Sequence, residues 1–279
     1  MRSALVTGAS GFLGQHLVKR LLSDGWDRIC CFSRGEHRQA ELRAQVHDDP
    51  RCRWLIGDIR DLPRLERAMQ GVQLVLHTAA LKRIEVGYHD PDEMVKTNVL
   101  GSMNVVDAAA RAGVEKVLLV SSDKAFQPVS PYGQAKALAE SLFLTANNVY
   151  PDGPKFGVVR YGNIWNATGS VLPKWRSLIA AGAHSVPVTD PDATRFFMRI
   201  EEAVDLILGT AQSLQGGEIA IPTLPAYRVG DLAEALGTYM EIVGLPTWEK
   251  KHESMDESKC SATARRMSVE ELKEALNHA

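Results

Sequence analysis

The sequence predicts an α/β fold, a Rossmann-like doubly wound parallel sheet with a small C-terminal lobe interleaved with its end. Three observations predict it. Short apolar runs alternate with helical patterns as far as Gly162, a glycine motif joins the first run to the first helix, and the alternation breaks after Asn163. Strand and helix in strict alternation require right-handed crossovers, which give a parallel sheet covered on both faces.

A chain of 279 residues can hold one large α/β domain or a domain with an appended lobe. With 45% hydrophobic and 24% charged residues, wholesale disorder is excluded. A net charge of −2 leaves no electrostatic case for a nucleic acid or an anionic membrane as partner. No apolar run reaches the roughly 18 residues that cross a bilayer, and the N-terminal stretch runs directly into a strand. The expectation is a soluble cytoplasmic protein. Cys30, Cys31, Cys52 and Cys260 have no zinc or C-x-x-C spacing and are expected to be reduced thiols, with no metal site.

"ALVTG" (4–8) reads as the first buried strand, followed by leucines at helical spacing from Gly11 onward. "RICCFS" (28–33), "RWLIGD" (53–58), "VQLVLHTAA" (72–80), "VEKVLLVSS" (114–122) and "KFGVVRYG" (155–162) continue the strand series. Helical stretches lie between them at about 36–47, 61–69, 92–112 and 131–148. Later helical patterns fall at about 169–182, 200–213 and 228–241, and "EIAIP" (218–222) reads as a late strand. Residues 1–163, with 200–222 returning to them, form the expected dinucleotide-binding domain, and 164–199 with 223–279 the substrate lobe. "EKKHESMDESK" (249–259) reads as a solvated charge run.

"TGASGFLG" places Gly8, Gly11 and Gly14 between strand and helix, the context a dinucleotide-binding fingerprint needs. Gly8 allows the tight turn, Gly11 the approach of a pyrophosphate, and Gly14 close packing of helix on strand. The second strand ends in Ser33-Arg34, where an NAD enzyme has an acid for the ribose 2′-hydroxyl about 20 residues beyond the motif. Arg34 there favours a 2′-phosphate, hence NADP. Asp58 and Ile59, after the third strand, lie where an adenine would be cradled.

Tyr132 and Lys136 are four apart, so on a helix they share one face. Ser130 as N-cap and Pro131 at the first helical position start that helix just before the tyrosine. A lysine beside a phenol favours the phenolate, which makes Tyr132 a base for a sugar hydroxyl. Ser122 closes the fifth strand, where ligands bind in open α/β sheets.

The glycine motif, Ser122 and Tyr132-x-x-x-Lys136 together resemble the extended short-chain dehydrogenase/reductase superfamily. "SRGEHRQ", "GDIRD", "HTAALKRIEVGYHDP", "KTNVLGSMNVVDAA", "SSDKAFQPVSPYGQAK", "VVRYGN" and "TRFF" narrow the resemblance to the inverting UDP-N-acetylglucosamine 4,6-dehydratases of polysaccharide and flagellin-sugar biosynthesis. It runs from about residue 4 to residue 253. It implies NADP, a UDP-sugar substrate and a lyase that oxidises C4, eliminates water across C5–C6 and reduces C6. The Asp-Lys pair after Ser122 is the inverting group's pattern, with neutral Lys124 as C5 base and protonated Asp123 as acid for the departing hydroxyl. Both roles need shifted pKa values, lysine down and aspartic acid up. The resemblance also places Ser10, Phe12, Leu13, Ala79, Ala80, Lys82 and Asn98 at the cofactor beside Tyr132 and Lys136. It places Lys82, Asn163 and Arg195 at the substrate, Asn163 and Arg195 against the phosphates.

At the C-terminal end the chain departs from the pattern G-I-R-P-G-E-K-x-H-E. It reads "GLPTWEKKHE", with Pro246 where the arginine stands and Trp248 where the second glycine stands. A 4-epimerase, a dehydratase stopping at a 5,6-ene sugar and a non-catalytic NADP-binding sensor remain alternatives. A homo-oligomer is expected through helices 92–112 and 131–148, with Val105, Val106, Leu138 and Leu142 as candidate contacts.

Overall fold

The computed structural model describes residues 1–277. In the first half, β1 (Ser3–Thr7), α1 (Phe12–Ser23), β2 (Arg28–Ser33), α2 (Glu36–Gln45), β3 (Cys52–Ile56), α3 (Leu62–Met69) and β4 (Leu74–His77) alternate strictly. Then come α4 (Ile84–His89), α5 (Pro91–Met94), a π-helical turn (Val95–Leu100), α6 (Gly101–Ala112) and β5 (Lys116–Val120). A 3₁₀ turn (Asp123–Ala125) precedes α7 (Pro131–Val149) and β6 (Lys155–Val159). The rest comprises α8 (Val171–Ala180), β7 (Ser185–Val188), β8 (Thr194–Phe196), α9 (Ile200–Ser213), β9 (Ile219–Ala220), β10 (Ala226–Arg228), α10 (Val229–Ala235), β11 (Tyr239–Ile242) and α11 (Val269–Asn277).

Seven parallel strands form one sheet in the order β3-β2-β1-β4-β5-β6-β9. Their near-continuous apolar runs follow from burial on both faces. Adjacent Cys30 and Cys31 show it. Cys30 joins Leu5, Phe32 and Leu119 in one core, and Cys31 joins Val6, Ile29 and Leu118 in the other. The order reverses between β1 and β4, which opens a crevice at their carboxyl ends. Two small sheets, β10-β8 antiparallel and β11-β7 parallel, follow, and Val186 and Val188 of β7 and Tyr227 of β10 join a third cluster with Trp165, Trp175 and Leu272.

Several elements differ from the sequence expectation for physical reasons. The fourth, fifth and sixth strands end two to three residues early, at His77, Val120 and Val159. The residues beyond leave the ladder to build the crevice. The helical pattern at 228–241 stops at Ala235, because Gly237 takes φ 68 and Thr238 N–H closes back on the Ala233 carbonyl. Tyr239–Ile242 then runs as a strand beside β7. Of the residues expected to mediate association, Val105 and Val106 are buried in the sheet-facing core and Leu142 is half-buried, while Leu138 is 50% exposed. The same helical layer exposes Val95, Leu100 and Met103 instead.

One buried ion pair ties the sheet to the helix that carries Tyr132. Arg160, just beyond β6, donates through Nε to Glu140 Oε1 on α7 at 3.0 Å and through its terminal nitrogens to Glu140 and to the Met255 carbonyl. Its guanidinium also stands over the Phe126 ring at 5.8 Å.

Candidate active site

The fingerprint loop is built by contact. Gly8 has φ 70, and a Cβ on it would lie 3.0 Å from the backbone of Ala79. A Cβ on Gly14 would sit 2.2 Å from the Gly8 carbonyl, so only glycine lets α1 pack this closely on the loop. Among the described residues no side chain caps α1 at Gly11, which leaves the first N–H groups, those of Phe12 and Leu13, facing the crevice end. This arrangement fits a dinucleotide pyrophosphate. Ser10 and Ser33 do not face it as free hydroxyls: Ser10 Oγ donates to Ser33 Oγ at 2.9 Å, and Gln39 Nε2 donates to the same oxygen at 2.9 Å. Arg34 is exposed at the end of β2 with Asp58 at 3.7 Å. Burial would raise the Asp58 pKa, but hydrogen bonds from Arg60 and the Arg34 charge hold it below the usual carboxylate value. Ile59 is buried under Gly101.

Below this loop runs a chain of hydrogen bonds that sequence reasoning gave only in part. Thr7 Oγ1 and His77 Nδ1 are 2.7 Å apart, His77 Nε2 and Ser102 Oγ 3.1 Å, and Ser102 Oγ donates to the Asn98 carbonyl at 2.7 Å. Burial, with the Lys136 charge adding to it, pushes the His77 pKa down to about 3, so the ring is neutral. Asn98 lies in the π-helical turn, and its amide clamps both backbone groups of Leu81, at 2.8 and 2.7 Å. It thereby fixes the loop that carries Ala79, Ala80 and Lys82. Lys82 itself lies exposed on the rim of that loop.

The catalytic candidates meet where β5 ends. Ser122 Oγ caps the 3₁₀ turn by accepting from Lys124 N–H at 3.3 Å, and it donates to Asp123 Oδ1 at 2.8 Å. Asp123 is 0% exposed, and among the described residues its Oδ2 has no hydrogen-bond partner. Burial raises its pKa, against the pull of Lys124. The Lys124 ammonium donates to Asp123 Oδ1 at 3.1 Å and Asn163 Oδ1 at 3.2 Å, and it forms an ion pair with Glu253 Oε1 at 3.3 Å. Burial alone would lower the Lys124 pKa, but Asp123 and Glu253 reverse this and raise it above the usual lysine value. The resting site therefore holds a protonated lysine, where the sequence reading required a neutral one.

Tyr132 enters from the first turn of α7, whose N-cap Ser130 accepts from Gly133 N–H at 3.1 Å. A Cβ on Gly133 would lie 2.3 Å from the Lys124 carbonyl, so this glycine is what lets the helix seat Tyr132 against the Asp-Lys turn. Burial raises the Tyr132 pKa, while the Lys124 charge and a hydrogen bond with Ser122 pull it down. Lys136 has a different place from the one expected. Its Nζ donates to the Val120 carbonyl at 2.6 Å, and burial, opposed by the Glu140 charge, lowers its pKa to about 8. The Lys124 charge opposes the rise that burial gives the Tyr132 phenol without cancelling it.

The charge run at 249–259 is not a solvated face. Residues 249–255 form a strap across the site because their charges find partners there. Glu253 is 1% exposed and pairs with Lys124 and, through Oε2 at 3.3 Å, with Lys250. Lys250 Nζ donates to the Phe126 carbonyl at 2.8 Å. Arg195 is 5% exposed and engaged by Glu249 and by the carbonyls of Thr194 and Lys251, rather than free to grip a diphosphate. Trp248, standing where the family pattern has glycine, packs on Tyr88 with ring centroids 4.4 Å apart. The alternating Glu-Lys-Lys-x-Glu spelling gave no sign of burial, because its partners lie in distant segments.

A parallel sheet with a glycine fingerprint at its switch point and a hydroxyl-acid-lysine turn facing a helical tyrosine defines a dinucleotide-dependent class of α/β enzyme. The chain belongs to the polysaccharide biosynthesis protein family, which matches residues 4–271. A UDP-N-acetylglucosamine 4,6-dehydratase (inverting) of Campylobacter jejuni is 40% identical over 258 residues, 91% of this chain and 77% of that protein. A UDP-glucose 4-epimerase of Rickettsia rickettsii is 34% identical over 274 residues, 94% of this chain and 80% of that one. The X-ray structure of Pen from Bacillus thuringiensis superposes with a TM-score of 0.94 at 29% identity, covering 100% of this chain and 98% of that one.

Gly133 offers a test of the site's geometry. Gly133→Ala is expected to push α7 away from Lys124, costing about 1–3 kcal/mol of stability, with activity falling further than stability does. Thermal unfolding and turnover measured on the same preparation check this.

Proposed function

We propose that the protein is an NADP-dependent nucleotide-sugar dehydratase that converts a UDP-hexose, UDP-N-acetylglucosamine, into the 4-keto-6-deoxy sugar with inversion at C5. The observation that carries the reading is the Asp123–Lys124 pair, buried beside Ser122 and Tyr132 with one carboxylate oxygen unpartnered. A 4-epimerase needs a base at the C4 hydroxyl but has no use for a second acid and base. The relative at 40% identity is a dehydratase by name, which supports the same choice.

When bound, the nicotinamide would take hydride from C4 and return it to C6. Tyr132, as the phenolate toward which the nearby Lys124 charge pulls it, takes the proton of the C4 hydroxyl. The C4 ketone acidifies the C5 hydrogen. Lys124 becomes a base by passing one proton to Asp123 Oδ1, 3.1 Å away. One N–H bond breaks and one O–H bond forms, and the pair is then a neutral amine beside a neutral acid. These are the two groups elimination requires: the amine removes the C5 proton, Asp123 protonates the leaving C6 hydroxyl, and C5 takes a proton back as hydride reaches C6. Closing the site over a sugar disfavours the ion pair relative to the neutral pair, since charges lose most when water leaves. Arg34 supports NADP, because an exposed guanidinium at the end of β2 suits a 2′-phosphate.

Incubating the NADP-loaded protein with UDP-N-acetylglucosamine should yield a product lighter by one water, about 18 Da. Tyr132→Phe should abolish both C4 oxidation and solvent exchange at C5. Lys124→Ala should keep transient NADPH absorbance while lowering water loss by about 10²–10⁴-fold. Near-normal kcat in that variant would show that the pair does not eliminate water.

Two further parts of the proposal have their own measurements. NADP should bind more tightly than NAD, and Arg34→Ala should narrow the gap by about 1–3 kcal/mol in titration calorimetry. Exposed Val95, Leu100, Met103 and Leu138 support a homo-oligomer, so light scattering at micromolar concentration should give at least a dimer.

A further inference from the structure

Glu253 touches neither the tyrosine nor the serine, yet it holds the residue on which elimination depends. Its backbone is pinned at both ends: Glu253 N–H donates to Ser261 Oγ at 2.8 Å, and Ser261 N–H donates to the Glu253 carbonyl at 2.7 Å. The carboxylate is buried between two ammonium groups, Lys124 at 3.3 Å on Oε1 and Lys250 at 3.3 Å on Oε2. We propose that Glu253 is a positioning residue for the elimination. It holds the Lys124 ammonium at the catalytic turn and, with Lys250 as its own counter-ion, sets how readily that ammonium gives its proton to Asp123. The inference rests on the dehydratase reading.

The charge balance explains why two partners are needed. Beside Lys124 lie Asp123 and Glu253 as acids, Arg195 as a second cation, and the phenols of Tyr132 and Tyr227. Asn163 contributes only a neutral oxygen. Before the proton moves, Asp123 and Glu253 together face Lys124 and Lys250. After it moves, Asp123 and Lys124 are neutral, and Glu253 still has Lys250. Neither state leaves a buried carboxylate unpaired, which is the arrangement that costs most. Without Lys250, Glu253 would bind the Lys124 proton too firmly. Without Glu253, Lys124 would have lost one of its two anionic partners and would deprotonate more easily.

The test is the pH profile of kcat for the NADP-loaded enzyme at saturating UDP-N-acetylglucosamine. Activity should fall at high pH as the Asp123–Lys124 pair loses the one proton it shares, because elimination needs both the amine and the acid. Glu253→Gln should move that falling limb down by at least about one pH unit, a tenfold change at a fixed pH on the limb. Glu253→Asp should leave the limb near its wild-type position, and Lys250→Gln should move it upward. Loss of packing alone lowers kcat equally at every pH, so a Glu253→Gln profile parallel to wild type overturns the proposal. If Glu253→Gln does not fold, an unmoved limb in Lys250→Gln overturns it instead. Lysine-selective ¹⁵N NMR of the unliganded protein gives a readout without turnover: Lys124 should lose its proton at lower pH in Glu253→Gln. If the wild-type enzyme removes no water, the dehydratase reading falls. The NMR titration then still decides whether Glu253 governs Lys124, and equal midpoints reject it.

Discussion

A half-buried ammonium, that of Lys124, is the constraint around which this chain is arranged. Shielding it from water is tolerable only with partners around it, and it has hydrogen bonds to Asp123 and Asn163 and an ion pair with Glu253. Each partner comes from a different part of the chain. Asp123 stands at the end of β5, Asn163 beyond β6, and Glu253 on the strap from the C-terminal part. The Arg160–Glu140 pair and the Arg160 contact with Met255 brace two of these regions, the end of β6 and the strap, against α7. The fold's long-range order and the site's electrostatics are therefore one requirement.

The legible parts of the sequence were those whose meaning is local. The glycine fingerprint needs only a strand, a turn and a helix in succession, so the turn at Gly8 and the close packing at Gly14 were legible from spacing. Ser130 and Pro131 announced the start of the helix bearing Tyr132 in the same way. The strands were legible as well, because burial on both faces writes apolar runs that need no partner to be seen.

What the sequence hid depends on partners far away. A Glu-Lys-Lys-x-Glu stretch is spelled like a surface, and only the arrival of Lys124 and Arg195 turns it inward. Gly133 looked like one more small residue until the Lys124 carbonyl was found against its α-carbon. Lys136 shares a helical face with Tyr132, as the spacing requires, yet a carbonyl at the end of β5 takes its ammonium. Spacing fixes which side chains can face the same way. It does not decide which neighbour reaches them first.

The strap also gives the site a place in time. Protein synthesis runs from the N-terminus, and domains generally fold as their residues emerge. The fingerprint, the Asp-Lys turn and the tyrosine helix all leave the ribosome well before residues 249–255. Until the strap arrives, Arg195 lacks Glu249, Lys124 lacks one of its two carboxylates, and the Phe126 carbonyl lacks Lys250. A nascent chain can thus own a formed nucleotide pocket while its proton chemistry is unbalanced. Chemical competence becomes the final act of maturation rather than an accompaniment to it.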